Sequence, residues 1–404
     1  MTLLCNLTQG LTLMFKLRVA VVVPRYGKSL GGGAETLLKS LVDSVFKDNF
    51  SEVEVWTTCA IDHRTWDNFH PPGTEIIDDV KVTRFTVDKR NLDVFITCEH
   101  AMQTGRVLSL DEQFRWLKSG VNSHALYEHI AKNSKDFDII LFGPYLFPIT
   151  YWGALICPEK SILVPCLHDE HYAYLECFRE LFRKVRGVFF NALPEQDLAF
   201  RIYQLSDLDK KAFEVGMGFN HKDCIAEYQN QKFILYSGRK EQGKGLDFLL
   251  SCYEQLPEEL RRNELKLYLI GSGSIDFREE LPIGVIDLGF VSEDQKLSYM
   301  KLALALVQPS INESFSIVMM ESWLQGTPVI VRSDCAVTKY HVSSSGGGLW
   351  FNDAESFKNT VTTLLNDNQL RDNLGKFGQK FVNDKYSWPA VTRRIEDSLR
   401  HLGF

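Results

Sequence analysis

A chain of 404 residues exceeds what one ordinary hydrophobic core organises, so two domains are expected. Apolar residues make up 45% and charged residues 24%, a globular composition, and the net charge of −7 argues against broad nucleic-acid binding through a basic surface. The cysteines are odd in number and lack a C-x-x-C pair, which argues against a disulfide scaffold or zinc knuckle and fits small buried thiols in a reducing compartment.

The first dozen residues lack a basic start and a small-residue cleavage site, so they make a poor signal peptide. Met14 is an alternative start, and a cytoplasmic location is expected. Arg18–Val23 reads as a buried strand, followed by a glycine-rich loop and a helix from about Ala34. Further strands are expected at Glu52–Trp56, Val80–Phe85, Ile139–Phe142, Ser161–Pro165 and Gly187–Asn191. Asp88–Asn122 has no strand period and reads as a helical insertion or lid.

The longest apolar stretch, Ile139–Ile156, carries Gly143, Pro144, Pro148 and Gly153, which suit a strand, turn and helix start rather than a membrane span. Glu176–Arg186 reads as an amphipathic helix with Arg179, Arg183, Lys184 and Arg186. Those cations suit a solvated face, or a peripheral contact with anionic lipid at the inner side of a membrane.

A polar, glycine-containing connection near Gly216–Gln231 leads to a second series of strands. These are expected at Lys232–Ser237, Lys266–Ile270, Gly284–Leu288, Ala303–Gln308 and Pro328–Val331. Strands alternating with helices specify parallel sheets with right-handed crossovers, so each half is expected to be a Rossmann-like, doubly wound α/β domain. The expected ranges are 1–220, 221–385, and a final helix in 386–404 crossing back onto the first domain. Ligands in such folds settle in a cleft at the C-terminal ends of the strands.

Three stretches could bind an anionic ligand there. Gly31-Gly-Gly-Ala-Glu35 lets backbone approach a phosphate at a helix N-terminus, or is simply a tight turn. It matches neither a dinucleotide fingerprint nor a Walker loop. Arg239 and Lys244, in the loop Gly238–Gly245, could clasp a diphosphate or be solvated cations. Each close contact would supply about 4 kcal/mol of Coulomb energy before desolvation.

Glu313 and Glu321 bracket an apolar run of helical length. Eight helical residues span about 12 Å, wider than the roughly 5–9.5 Å separating a glycosidase's carboxylates. That spacing suits one carboxylate on sugar hydroxyls and another on ribose, with a helix N-terminus facing the diphosphate. Alone, Glu313 also fits an ordinary N-terminal helix carboxylate.

In order, these residues resemble family 4 of the retaining glycosyltransferases, which have the GT-B fold of two facing Rossmann-like domains. The resemblance covers nearly the whole chain after residue 17. Its signature is the E-x7-E pair Glu313 and Glu321, with Gly238–Gly245 and Gly32-Gly33-Ala-Glu35. Gly289–Lys296 is similar to the family's base-reading loop, and Tyr386-Ser-Trp388 to its C-terminal crossing helix.

The resemblance implies that Arg239 and Lys244 neutralise the departing diphosphate, aided by Gly32 and Gly33. It places Glu313 on the donor sugar, Glu321 on the ribose, and the backbone of Phe290 and Val291 at the base. Gly238, Ser314, Phe315 and Ser316 complete the donor-binding set. His168 matches the histidine beside the reacting sugar, although a cleft histidine without a role also fits.

It further implies transfer with retention by same-face substitution, the leaving phosphate taking the acceptor's proton. No cofactor or metal is expected, since Asp136-Phe-Asp138 and Asp207-Leu-Asp209 read as surface carboxylates. The expected partners are a nucleotide sugar, UDP-glucose being favoured by family frequency with GDP or ADP donors open, and a glycan or glycolipid acceptor of polysaccharide biosynthesis. A nucleotide-sugar 2-epimerase and a non-catalytic sugar-nucleotide-binding protein are the alternatives. Two departures stand out: Ser316 replaces the glycine usual after Glu-x-Phe, and Gly216-Met-Gly-Phe219 replaces the usual interdomain turn.

Overall fold

A computed structural model of the chain describes residues 17–27, 32–224 and 231–404. The expectations placed on the start of the chain, on Gly31 and on 225–230 of the connection lie outside these residues. The chain divides into one unit of residues 1–218 with 391–404, and a second of residues 219–390.

The first unit's strands are β1 (Arg18–Val23), β2 (Glu52–Thr58), β3 (Gly73–Ile77), β4 (Val80–Phe85), β5 (Ile139–Phe142), β6 (Ser161–Leu163), β7 (Gly187–Phe190) and β8 (Ala212–Glu214). They form one sheet in the order β3-β4-β2-β1-β5-β6-β7-β8. In β1 every residue after Arg18 is buried, the mark of a parallel strand covered on both faces. Two short strands depart from the sequence expectation. β8 has three residues, and β3 is an exposed edge that pairs antiparallel to β4, so this sheet is not wholly parallel.

Asp88–Asn122 folds as the expected helical insertion, with helices Leu92–Gln103 and Leu110–Ser119. The second begins with a reciprocal Ser109–Glu112 capping box. The final helix, Trp388–His401, buries Val391, Ile395 and Leu399. Its Arg394 donates to the Val215 carbonyl at 2.7 Å, within the first unit. Among the described residues no helix is long and apolar enough to cross a membrane.

The second unit's strands are β9 (Lys232–Ser237), β10 (Leu265–Ile270), β11 (Val285–Gly289), β12 (Leu306–Gln308), β13 (Val329–Arg332) and β14 (Gly348–Phe351). Their order is β11-β10-β9-β12-β13-β14, parallel throughout. The sheet is built outward in two directions from β9, so chain direction across the sheet reverses between β9 and β12. The loops leaving β9 and β12 thus sit side by side at the switch point, the place where such sheets bind ligands.

Candidate active site

The two loops at this switch point carry the signature residues. Gly245 closes the loop after β9 at φ +69°, and a Cβ there would lie 2.3 Å from the Pro309 carbonyl of the loop after β12. Glycine is thus required for the loops to approach. The approach brings Lys244 Nζ to 2.9 Å from Glu313 Oε1, with the glutamate side chain 11% exposed. Arg239 reaches out of the same loop and pairs with Glu241 at 2.9 Å. Gly238 sits beside the Tyr236 ring, whose hydroxyl donates to the Arg239 carbonyl at 2.6 Å.

The structure changes the reading of the two glutamates. The helix begins at Ile317, so Glu313 stands in a loop and only the last part of the eight-residue spacing is helical. The 12 Å helical separation therefore does not apply, and Glu313 is not an N-terminal helix carboxylate. Ser316 is the N-cap but makes no capping hydrogen bond, and no acidic side chain occupies the first turn. The positive end of the helix dipole is thus not compensated by a side-chain cap or a carboxylate of its own first turn.

Ser316 adopts φ +72°, the left-handed conformation that glycine enters without penalty. The serine is held there by Gln308, whose amide donates to its hydroxyl at 3.0 Å. The Phe315 ring is buried, stacked on Phe219 at 6.0 Å and edge-on to Tyr386 and His341, so its side chain packs the loop. Ser314 lies half-buried beside it. Burial lowers the His341 imidazole to about 3, keeping it neutral.

Glu321 lies one turn into the helix and is held by Lys296 at 2.8 Å. Its Oε2 is buried and has no partner among the described residues, an acceptor available to a hydroxyl. Burial raises the Glu321 carboxyl, and Lys296 opposes the rise. Phe290 and Val291 follow Gly289 at the end of β11, with Phe290 83% exposed and able to meet a flat ring. The sequence reading gave Lys296 no separate role. The same holds for Lys240, buried between the two expected cations.

In the first unit, Gly32 caps the helix Gly33–Leu41 after β1. A Cβ on Gly32 would strike the Glu35 carboxylate at 2.1 Å, whereas one on Gly33 would meet nothing within 4 Å. Gly33 is therefore not required by the packing around it. Glu35 itself is held by Arg25, at 2.5 and 3.0 Å.

His168 follows β6 and lies 3.7 Å from Glu170. Its loop is fastened by Glu195, a residue sequence reasoning passed over. The buried Glu195 carboxyl accepts N–H groups from Leu167 and Asn191, each at 2.6 Å, joining the loops after β6 and β7. Burial pushes this carboxyl up to about 8 while the N–H donors pull it down. Only the tertiary fold brings Leu167 to a glutamate 28 positions away.

Asp138 accepts the Arg18 N–H at 2.8 Å, and Asp207 lies 3.7 Å from Lys211. Among the described residues no cluster of three or more His, Cys, Asp or Glu has metal-site geometry. The helix Glu176–Lys184 buries Phe178, Leu181 and Phe182, while Arg179 donates to the Tyr203 carbonyl and Arg183 pairs with Glu180.

Two α/β units with mainly parallel sheets, the second with charged loops meeting at its switch point, place the chain in the GT-B fold class. The Anabaena HepE protein, solved with UDP and glucose, superposes with a TM-score of 0.67 at 15% identity, covering 95% of this chain and 99% of its own. More particularly, residues 220–381, which lie within the second unit, match the family Glycosyl transferases group 1.

An uncharacterized glycosyltransferase of Methanocaldococcus jannaschii is 31% identical over 183 residues, 43% of this chain and 46% of its own length. The chain thus matches about half the length of that relative. The phosphatidyl-myo-inositol mannosyltransferase of Mycobacterium leprae is 24% identical over 64% of this chain and 72% of its own length.

Proposed function

We propose that the protein is a retaining glycosyltransferase of family 4 that passes a hexose from a nucleotide sugar, UDP-glucose being the expected donor, to a glycan or glycolipid acceptor. The observation that carries this reading is the meeting of Lys244 and Glu313 at 2.9 Å on the two switch-point loops of the group 1 domain. A cation there stabilises the charge growing on a departing diphosphate, and the neighbouring carboxylate accepts from the hydroxyls of the attached sugar. A donor diphosphate would compete with Glu313 for Lys244 and exchange one partner for another.

Arg239, in the same loop, reaches solvent and supplies a bidentate fork. The unpartnered Oε2 of Glu321 suits a ribose hydroxyl, and the exposed Phe290 turn suits the base. His168 stands beside the reacting sugar in this reading, and the leaving phosphate takes the acceptor's proton. A UDP donor is supported by the UDP and glucose in HepE, and a lipid-linked acceptor by the name of the mycobacterial relative.

A thermal-shift screen with UDP, GDP, ADP and their sugars tests the donor. Stabilisation by one set is expected, and no stabilisation by any would refute the reading. EDTA should leave transfer intact, because the cations take the place of a metal at the diphosphate. Strict dependence on a divalent ion would overturn the metal-free mechanism.

A further inference from the structure

We propose that the buried Lys240 and the partly exposed Asp287 form a strut locking the base-reading turn Gly289–Val291 to the diphosphate loop, making base selection depend on a residue that touches no ligand. This rests on the donor reading above. Arg239 and Lys244 have side chains 41% and 27% exposed, whereas that of Lys240 is 2% exposed. It turns inward to meet Asp287 Oδ1 at 2.5 Å. The same oxygen accepts the Gly289 N–H at 2.9 Å, so one carboxylate holds both a loop and a turn.

The backbone explains why this turn needs holding. β11 carries a bulge: Leu269 opposes Asp287 and Ile270 opposes Gly289, leaving Leu288 without a partner. A bulge bends the strand end and redirects the residues after it, here with Gly289 at φ +72°. Gly238 donates to Ile270 at 3.0 Å, Lys240 to Ser272 at 2.8 Å, and Gly271 to Gly289 at 2.9 Å. A Cβ on Gly271 would lie 2.0 Å from the Gly238 carbonyl, so the three strand ends are stacked too closely to shift independently.

The β10–β11 ladder already holds the strands through backbone bonds. The Lys240 ammonium is buried while the Asp287 carboxylate is 31% exposed, so loss of Asp287 would strand a buried charge, and the pair fixes one geometry more than it adds net stability. What the pair adds is therefore the setting of the turn against the clasp. Lys240 and Asp287 are positioning residues, acting through the Gly289–Val291 backbone.

Calorimetric titration of the full chain with UDP, GDP and ADP tests the strut. The native chain should prefer one base. Lys240→Met should weaken the tightest diphosphate about tenfold and bring the three affinities within roughly threefold of one another. Arg239→Ala should weaken all three by a similar factor and leave their ratio, as expected of a group that reads only phosphate.

Asp287→Asn keeps an oxygen for the Gly289 N–H, and it carries the same test if Lys240→Met does not fold. An unchanged base preference in the folded variant, or no preference in the native chain, overturns the strut while leaving the donor site intact. A native chain that binds none of the three overturns the donor reading, and the strut with it.

Discussion

In the second unit the candidate residues are charged side chains that neutralise one another at the strand ends: Lys244 with Glu313, Lys296 with Glu321, Arg239 with Glu241. In the first unit the loop bearing His168 is fastened through backbone N–H groups by the buried Glu195. A donor with two phosphates can displace one partner of an ion pair and keep the charge balance. A loop held by its backbone instead presents a fixed shape. The second unit's candidate features are therefore written in residue types, while the first unit's loop is set by packing.

The largest expected effect separates ligand contacts from fasteners. Lys244→Ala and Arg239→Ala should each cut turnover by about a hundredfold or more, as loss of a charge-stabilising donor does elsewhere, with melting temperatures little changed. Steady-state rates with the donor found by the thermal screen decide this, and near-native rates in both variants would remove the clasp. Glu195→Ala should do the reverse. It orphans two buried N–H groups and should cost about 2–4 kcal/mol in urea unfolding, whereas Glu241→Gln, at an exposed pair, should cost under about 0.5.

Acid should pull the two units in opposite directions. His341 is lowered to about 3 by burial, so the stability it allows is complete above its unfolded value near 6.5 and is lost as pH falls toward 3. Glu195 is raised to about 8, so its contribution is complete below its unfolded value near 4.5 and is lost as pH rises through 8. Between pH 7 and 5, His341→Phe should gain about 2 kcal/mol relative to the native chain, and Glu195→Ala should lose about 2. Urea midpoints at the two pH values check both signs, and parallel curves for all three proteins would show that neither group titrates as described.

The smallest effect concerns Ser316. Ser316→Ala keeps the left-handed strain and loses the Gln308 bond, costing about 1–2 kcal/mol. Ser316→Gly relieves the strain but also loses the bond, and should stay within about 1 kcal/mol of the native chain. Equal stability of the two variants would mean that the backbone strain is not felt.

Much of this molecule was legible in the chain. β1, β5 and β9 lie where apolar runs placed them, because a strand buried on both faces must be written as such a run. Gly245, Lys244, Glu313 and Glu321 stood out in the chain by their types and order, and the fold brings Lys244 to Glu313. The antiparallel edge β3 was not, since four of its five residues are exposed and carry no burial pattern.

Tertiary structure alone decided the rest. It placed Glu313 in a loop rather than on a helix, because the chain first turns at Ser316 with a positive φ. It buried the Phe315 ring among aromatic residues as far along the chain as Tyr386. It also chose Lys240, among three neighbouring cations, to turn inward, because the counter-charge it meets is Asp287, 47 positions away. Residue type records which charges a chain possesses; which of them meets solvent and which meets a partner is settled by strand order.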